Sequence, residues 1–265
     1  MSEHDVMSIF VMSRKPRKIH VQLTLDQARK PHGRGGWRPG AGRPKGRTRV
    51  GHVTRPEISP AHPQHVTLRI VSDLPSLRRG CFVKTIREAI ARSHRAGFRI
   101  VHFNVEPNHL HLITEASSKE AHGRGMQGFE VRMSRQLNKQ LGRTGSLFED
   151  RYHSRSLKSP REVRNALRYV LNNARHHAAE RGETIGANWI DPYSSAAWFD
   201  GWQEAIVVDA SWKRYLLSMT PPTAKATAWL LTTGWRKHGA IRFDEIPGAF
   251  RNGAIAFRQA NDSQI

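Results

Sequence analysis

The chain of 265 residues contains a single cysteine, Cys81, which limits its covalent and metal chemistry. One cysteine cannot form a disulfide within the chain or a cysteine-cluster zinc site, and this usage fits a reducing compartment. The sequence also lacks an apolar run long enough to cross a bilayer. Its first residues, MSEHDVMSIFVMSRK, are acidic at the front with a short apolar patch, unlike a signal peptide. We therefore expect a soluble cytoplasmic protein with no membrane partner.

Acidic residues are few compared with basic ones. The chain has 22 Asp and Glu residues against 43 Lys and Arg residues, which gives a formal net charge of +21. A surplus of this size indicates a polyanionic partner. Nucleic acid is favoured over a membrane surface, because the sequence shows no lipidation signal and no long basic amphipathic helix. A basic tail that only aids solubility is the alternative, but arginines also run through the middle of the chain.

Composition divides the chain into three regions. Residues 1–64 are predicted to form a disordered basic arm, because 14–64 is rich in Arg, Lys, Gly and Pro and has little to bury. Within the arm, the segment GRPKG around Arg43 is similar to the core of an AT-hook, which places arginine in a narrow minor groove. A plain basic linker fits that segment equally well. Residues 65–200 are predicted to form one compact domain, and 201–265 a small helical extension without an assigned role.

The middle region alternates between strand and helix patterns. The predicted elements are strand 65–71, helix 81–96, strand 98–105, strand 108–114, helix 127–141, a strand within 146–157 and a helix over about 160–179. The last helix has a start signal, with Ser159 at the cap, Pro160 at the first position and Glu162 three residues after the cap. The order β-α-β-β-α-β-α predicts an α+β fold, with a ferredoxin-like (split βαβ) antiparallel sheet and packed helices.

Two histidines stand two residues apart in the third predicted strand, in the sequence EPNHLHLITE (106–115). Residues two apart in a strand share a face, so Leu110 and Leu112 are expected in the core, with His109 and His111 together on the other face. Two adjacent imidazoles can bind one metal ion. Taken alone, such a pair is more often only the polar face of a strand.

The last predicted helix contains LRYVLNN (167–173), in which Tyr169 and Asn173 are four residues apart and share a face. A tyrosine hydroxyl can act as a nucleophile, and an asparagine carbonyl is a hard oxygen ligand for Mg²⁺ or Mn²⁺. The alternative for Tyr169, beside several apolar residues, is a place in the core. From the helix alone that alternative is the commoner one.

Several of these motifs occur together in one known family. The segments HVTLR, EPNHLHLI, GSLFEDRYHSR, LRYVLNNARHH and DPYSSAAWF, in this order, resemble the single-tyrosine HUH transposases of small insertion sequences, and most closely the REP-associated tyrosine transposases. The resemblance covers roughly residues 65–200. It implies nicking and rejoining of single-stranded DNA through a 5′-phosphotyrosine, without ATP. It further implies that the DNA forms hairpins and that the protein acts as a monomer or a homodimer.

The resemblance also implies roles for individual residues. His109 and His111 match the metal-binding histidines of the family, and Tyr169 matches its nucleophile. Asn173 matches the polar residue that completes the metal site, which is expected to hold Mg²⁺ or Mn²⁺. Tyr152 is the rival nucleophile, but it has no ligand partner at helical spacing and matches a non-catalytic position of the family.

Two positions depart from the family pattern. Glu106 stands where methionine is commoner, and Ala174 replaces the proline that usually follows the asparagine. Neither change removes a reacting group, and we expect the glutamate to matter little. The missing proline is expected to loosen the geometry of the helix at that point.

Basic side chains are expected to position the DNA strand, although each could equally be a solvated surface charge. The candidates are Arg43, Arg132, Arg135, Arg151, Arg155 and His176.

Three other functions remain as alternatives. The first is a catalytically inactive or domesticated protein that still binds single-stranded or hairpin DNA. The second is a relaxase or replication initiator, which usually has different ligand spacing or a helicase-like extension. The third is an RNA-binding ferredoxin-like domain without a metal, whose usual aromatic-rich strand motif is missing here.

Overall fold

Four antiparallel strands form the centre of the structure, a computed structural model that describes residues 54–206 and 219–248. The strands are β1 (Gln64–Arg69), β2 (Phe98–Val105), β3 (His109–Ala116) and β4 (His153–Ser156), and they lie in the order β2-β3-β1-β4. Every neighbouring pair is antiparallel. One helix connects β1 to β2 and another connects β3 to β4, as in a ferredoxin-like sheet, which confirms the predicted α+β fold.

Helices cover both faces of the sheet. They are α1 (Gly80–Ala91), α2 (Lys119–Gln140), α3 (Pro160–Leu171), α4 (Asn173–Glu180) and α5 (Trp229–Thr232), with 3₁₀ helices at Ala196–Trp198 and Gly234–His238. Residues of α1 and α2 form a core with Leu110 and Leu112 of β3, whereas α3 forms a second core with Ile113. The alternation of strand side chains thus divides the apolar residues between two cores. Within the described ranges, no helix is both long and apolar enough to cross a membrane.

The predicted helix over about 160–179 is two helices in the structure. Its start is as predicted: the Ser159 hydroxyl accepts from the Glu162 backbone N–H at 3.3 Å, and the Glu162 carboxylate accepts from the Ser159 N–H at 3.1 Å. The break falls at Asn172, with φ −110° and ψ 19°. The Asn172 side-chain amide donates to the carbonyls of Arg242 and Glu245, both at 3.0 Å. This contact joins residues about 70 positions apart, so local sequence patterns do not contain it.

Helix α2 begins earlier than the predicted 127–141, at Lys119. Three glycines occur in its first half, and glycine disfavours helix by up to about 1 kcal/mol relative to alanine. One of them has a packing reason: a Cβ built on Gly125 would overlap the Phe98 ring of β2. The close approach of α2 to the sheet therefore requires glycine at that position.

We expect Gly125→Ala to destabilise the fold by roughly 1–3 kcal/mol, because the added methyl forces the Phe98 ring or the helix to shift. Gly123→Ala is the matched control in the same helix, since a Cβ there meets nothing within 4 Å. The control should stabilise the protein by up to about 1 kcal/mol. Urea denaturation of the two variants measures both effects, and equal stability of the two would contradict the packing argument.

The C-terminal segment, residues 219–248, packs on the outer side of α3. Its buried side chains share a core with α3 and include Leu230, Leu231, Trp235, Ile241 and Phe243. Arg164 of α3 donates to the carbonyls of Gly239 (2.9 Å) and Ala240 (2.8 Å) and pairs with Glu245 through two hydrogen bonds of 3.1 and 2.7 Å. Helix α3 is therefore enclosed between the sheet and the C-terminal segment.

The predicted boundaries after residues 64 and 200 stay predictions. Most of the predicted arm, including the AT-hook-like segment and Arg43, lies outside the described residues. In its described part, the guanidinium of Arg55 stacks 3.5 Å from the centroid of the Tyr152 ring and donates to the Tyr152 carbonyl at 3.0 Å. Residues just before β1 thus pack against the domain that follows.

Candidate active site

His109 and His111 lie on the α3 side of the sheet, as the strand alternation predicts. Their Nε2 atoms are 3.0 Å apart, and the two ring planes are inclined at 86°. His111 is buried and His109 is half-buried. The two ring nitrogens therefore converge on one point at the edge of the core.

The other nitrogen of each ring has an oxygen partner. Nδ1 of His109 is 2.8 Å from Oδ1 of Asn108, and Nδ1 of His111 is 3.2 Å from Oγ1 of Thr67 on β1. The Asn108 oxygen can only accept, so His109 Nδ1 carries the hydrogen in this arrangement. The Thr67 hydroxyl can accept in the same way from His111. With hydrogen on both Nδ1 atoms, both Nε2 atoms present lone pairs to the same point.

Both imidazoles are neutral near neutral pH. Burial, with smaller effects of the charges on Arg69 and His177, lowers the pKa of His109 to about 4. Burial also holds the pKa of His111 well below its ordinary value. The neutral form is the one that binds a metal ion. Two ligands at right angles, each about 2.1 Å from an octahedral ion, lie about 3.0 Å apart, as the two Nε2 atoms do.

Tyr169 meets this pair from α3. Its hydroxyl oxygen lies 3.5 Å from Nε2 of His111, and the centroids of the two rings are 5.0 Å apart at an interplanar angle of 79°. Burial raises the pKa of Tyr169 above its ordinary value, and the negative charges of Glu106 and Glu180 raise it further. The hydroxyl is therefore protonated at neutral pH. The structure brings the predicted nucleophile to the predicted metal ligands.

Asn173, the first residue of α4, is buried and contacts Glu106 and His177, whose charges also affect the pKa of Tyr169 and of the two histidines, respectively. Its Nδ2 donates to Oε1 of Glu106 at 2.9 Å and lies 3.3 Å from Nε2 of His177. Its Oδ1 is buried and has no hydrogen-bond partner. A buried carbonyl oxygen without a partner costs free energy unless a ligand satisfies it. This oxygen is thus suited to bind a metal ion.

The donor set is suited to a divalent ion, although it is small. Within residues 54–206 and 219–248, no group of three or more His, Cys, Asp or Glu side chains is placed to hold a metal ion. The predicted set differs in composition, since it has two imidazole nitrogens and one amide oxygen. The Nε2 atoms of His109 and His111 converge and the Asn173 oxygen has no partner, and nitrogen and oxygen donors of these types are ones that such an ion accepts.

The rival nucleophile Tyr152 lies in the other core, with α1 and α2. Its hydroxyl is 3.3 Å from Nδ1 of His122, whose Nε2 is 3.1 Å from Oγ1 of Thr114. Thr114 is on the face of β3 opposite to His111, because it is an odd number of residues away. Burial raises the pKa of Tyr152 as well. The structure therefore separates the two tyrosines by the thickness of the sheet.

The predicted DNA-binding residues are distributed over both faces. Arg155 of β4 is opposite His65 of β1 and so shares the face of the His pair, while Arg151 lies just before β4. Arg132 and Arg135 belong to α2, which covers the other face. These roles stay predictions.

His176 is near the site but has partners within the chain. Its ring centroid is 6.1 Å from that of Tyr169. Its Nδ1 is 3.0 Å from the Pro247 carbonyl oxygen, and its Nε2 is 3.2 Å from a Glu180 carboxylate oxygen. Its predicted contact with DNA would compete with these interactions.

Glu106 makes contacts that the sequence pattern does not predict. Its side chain is 3% exposed, and besides Asn173 it meets Arg78, with Nη1 3.7 Å from Oε2. Burial raises the pKa of Glu106, while Asn173, Arg78 and His177 oppose that rise. Arg78 also holds Asp191 with two hydrogen bonds of 3.1 and 2.8 Å. An acid in place of methionine was the only sequence signal of this contact.

Residues 74–173 match the family model described as "Transposase IS200 like". This stretch is an IS200-like transposase domain. The match begins after β1 and ends at Asn173, so the domain includes His109, His111 and Tyr169. It confirms the resemblance to transposases of small insertion sequences, and it supports a transposase that acts on DNA.

The chain was also compared with curated proteins and with solved structures. No curated protein matches the chain. A solved structure of a REP-associated tyrosine transposase bound to a REP hairpin is similar at 13% sequence identity, with a TM-score of 0.43, over 70% of this chain and 97% of that one.

Proposed function

We propose that the transposase domain cuts and rejoins single-stranded DNA through a covalent 5′-phosphotyrosine at Tyr169, with a divalent metal ion held by His109, His111 and Asn173. The observation that carries the proposal is the meeting of the Tyr169 hydroxyl with the imidazole pair, 3.5 Å from Nε2 of His111. Tyr169 of α3 and His111 of β3 are 58 positions apart, so local sequence patterns do not bring them together. A nucleophile beside a metal site is the arrangement that this reaction needs.

The proposed reaction is a transesterification and needs no co-reactant besides the DNA. The Tyr169 oxygen bonds to a backbone phosphorus as its proton leaves, and the bond from that phosphorus to the 3′-oxygen breaks. The departing 3′-oxygen takes a proton and becomes a hydroxyl. One phosphodiester replaces another, so the bond energy is kept for rejoining and no ATP is needed.

The residues of the chain contribute binding and orientation. Helix α3, enclosed between the sheet and the C-terminal segment, fixes the Tyr169 ring against His111. Because its pKa is raised, the hydroxyl stays protonated until attack. Mg²⁺ or Mn²⁺, when bound, would supply a Lewis acid for the charge that builds on the phosphate oxygens.

A basic strip beside the His pair is suited to the DNA backbone. Arg69 and His109 are opposite each other in the β1–β3 ladder, and His153 and Arg155 of β4 are opposite Thr67 and His65. Directly opposed residues share a face, so the side chains of Arg69, His153 and Arg155 continue the site toward the β4 edge of the sheet. Arg69, His153 and Arg155 are exposed. We propose that the strand, flanking a hairpin as the motif resemblance implies, crosses this strip.

The test is incubation of the full chain with an end-labelled hairpin oligonucleotide that carries a single-stranded flank. A species that survives denaturing electrophoresis is expected with Mg²⁺ or Mn²⁺ and not with EDTA. Because the target sequence is unknown, a pool of hairpins with randomised flanks serves as substrate. Hairpin binding without a covalent species in either metal would contradict the proposal.

A further inference from the structure

Glu106 is the first residue of the turn between β2 and β3, three residues before His109, and is almost completely buried. Its Oε1 accepts from Nδ2 of Asn173 at 2.9 Å. Its Oε2 lies 3.7 Å from Nη1 of Arg78 and 3.9 Å from Nε2 of His177. One carboxylate oxygen is thus directed at Asn173, while the other faces two basic side chains.

The two ends of an asparagine amide have nearly the same size, so hydrogen bonds decide which end faces which neighbour. A carboxylate oxygen and an amide oxygen are both acceptors and repel each other. Glu106 therefore favours the nitrogen of Asn173 on its own side, and this nitrogen is also 3.3 Å from Nε2 of His177. The amide oxygen is turned away and is the buried atom without a partner. Divalent ions bind the oxygen of an amide, not its nitrogen.

We propose that Glu106 is a positioning residue of the metal site, whose carboxylate holds the Asn173 amide nitrogen and so presents the amide oxygen to the divalent ion. The inference rests on the proposed function, because it takes His109, His111 and Asn173 as the ligands. It gives a role to the position at which this chain departs from the methionine of the resembled family.

The second departure from the family pattern lies next to the same asparagine. Ala174 leaves the backbone after Asn173 freer than a proline would, since proline fixes φ. The hydrogen bond from Asn173 to Glu106 ties that residue to the β2–β3 turn.

The test measures Mn²⁺ binding to the full chain, by isothermal titration calorimetry and by the electron paramagnetic resonance signal of free Mn²⁺. Glu106→Met removes the acceptor and is expected to weaken Mn²⁺ binding by about 10–100-fold, the usual effect of losing a partner of a metal ligand. Glu106→Gln still offers an oxygen to the Asn173 nitrogen, and its dissociation constant should stay within about threefold of the wild type.

Two controls separate positioning from a general effect on the fold. Asp191→Asn weakens the other acidic partner of Arg78 without touching Asn173, and Mn²⁺ binding should not change. In an Asn173→Ala background, Glu106→Met should cause no further loss, because the residue that it positions is gone. Thermal denaturation of each variant shows whether it is folded.

Equal Mn²⁺ binding by the wild type and a folded Glu106→Met variant would overturn the inference. So would a loss in Glu106→Gln of more than about tenfold, which would point to charge instead of hydrogen bonding. The glutamine variant keeps the test decisive if the methionine variant does not fold. Mn²⁺ binding tests the role of Glu106 independently of the DNA reaction. If the wild type forms no DNA adduct, that result contradicts only the proposed reaction.

Discussion

Tyr169→Phe is expected to abolish the covalent DNA adduct, by at least about 1,000-fold in rate, a barrier increase of more than about 4 kcal/mol. The variant loses only the hydroxyl oxygen, which is the atom that would bond to phosphorus. The ring should keep its edge contacts with His111 and His65, whose ring centroids are 5.0 and 5.8 Å away. Hairpin binding, measured by fluorescence anisotropy, should stay unchanged, and so should the melting temperature.

Tyr152→Phe is the matched control for this variant. Its hydroxyl bonds to His122 in the opposite core, so the substitution should cost stability, about 1 kcal/mol, and leave the adduct. An adduct that persists in Tyr169→Phe and disappears in Tyr152→Phe would show that the nucleophile was assigned to the wrong tyrosine.

A mixture of Tyr169→Phe and His111→Ala chains is expected to form no more adduct than the two variants alone. The reason is that α3 is fastened within its own chain. Arg164 binds the C-terminal segment through four hydrogen bonds, and Asn172 at the end of α3 donates to two of its carbonyls. Tyr169 therefore faces the histidines of the same chain. A Tyr169→Phe chain then lacks the tyrosine hydroxyl in its own site, and a His111→Ala chain lacks one imidazole in its own site.

The mixing experiment distinguishes this arrangement from one in which two chains exchange their tyrosines. In an exchanged homodimer, random pairing would restore about one quarter of the sites, with adduct only on the chain that carries His111→Ala. Tags of different mass on the two variants identify the labelled chain on a denaturing gel. Adduct near one quarter of the wild-type level on the His111→Ala chain would contradict assembly within one chain.

Local sequence determined the strands and the faces of their side chains. The alternation in EPNHLHLITE places His109 and His111 together, away from Leu110 and Leu112, because the two-residue period of a strand is a property of the backbone. The start of α3 was equally predictable, since a capping box involves only residues three positions apart. The motifs along 65–200 also indicated the transposase family that the match over 74–173 confirms.

Tertiary structure decided which of these groups meet. Nothing near Tyr169 or Tyr152 in sequence shows which of them faces the histidines, because that depends on which side of the sheet each segment covers. The helix break at Asn172 and the bond between Glu106 and Asn173 join positions about 70 residues apart. Such contacts arise only when distant segments pack together, and periodic patterns report backbone geometry over a few residues. The histidine pair could therefore be predicted from the strand pattern and Tyr169 from the family resemblance, whereas the contacts of Tyr169 with His111 and of Glu106 with Asn173 became visible only in the folded protein.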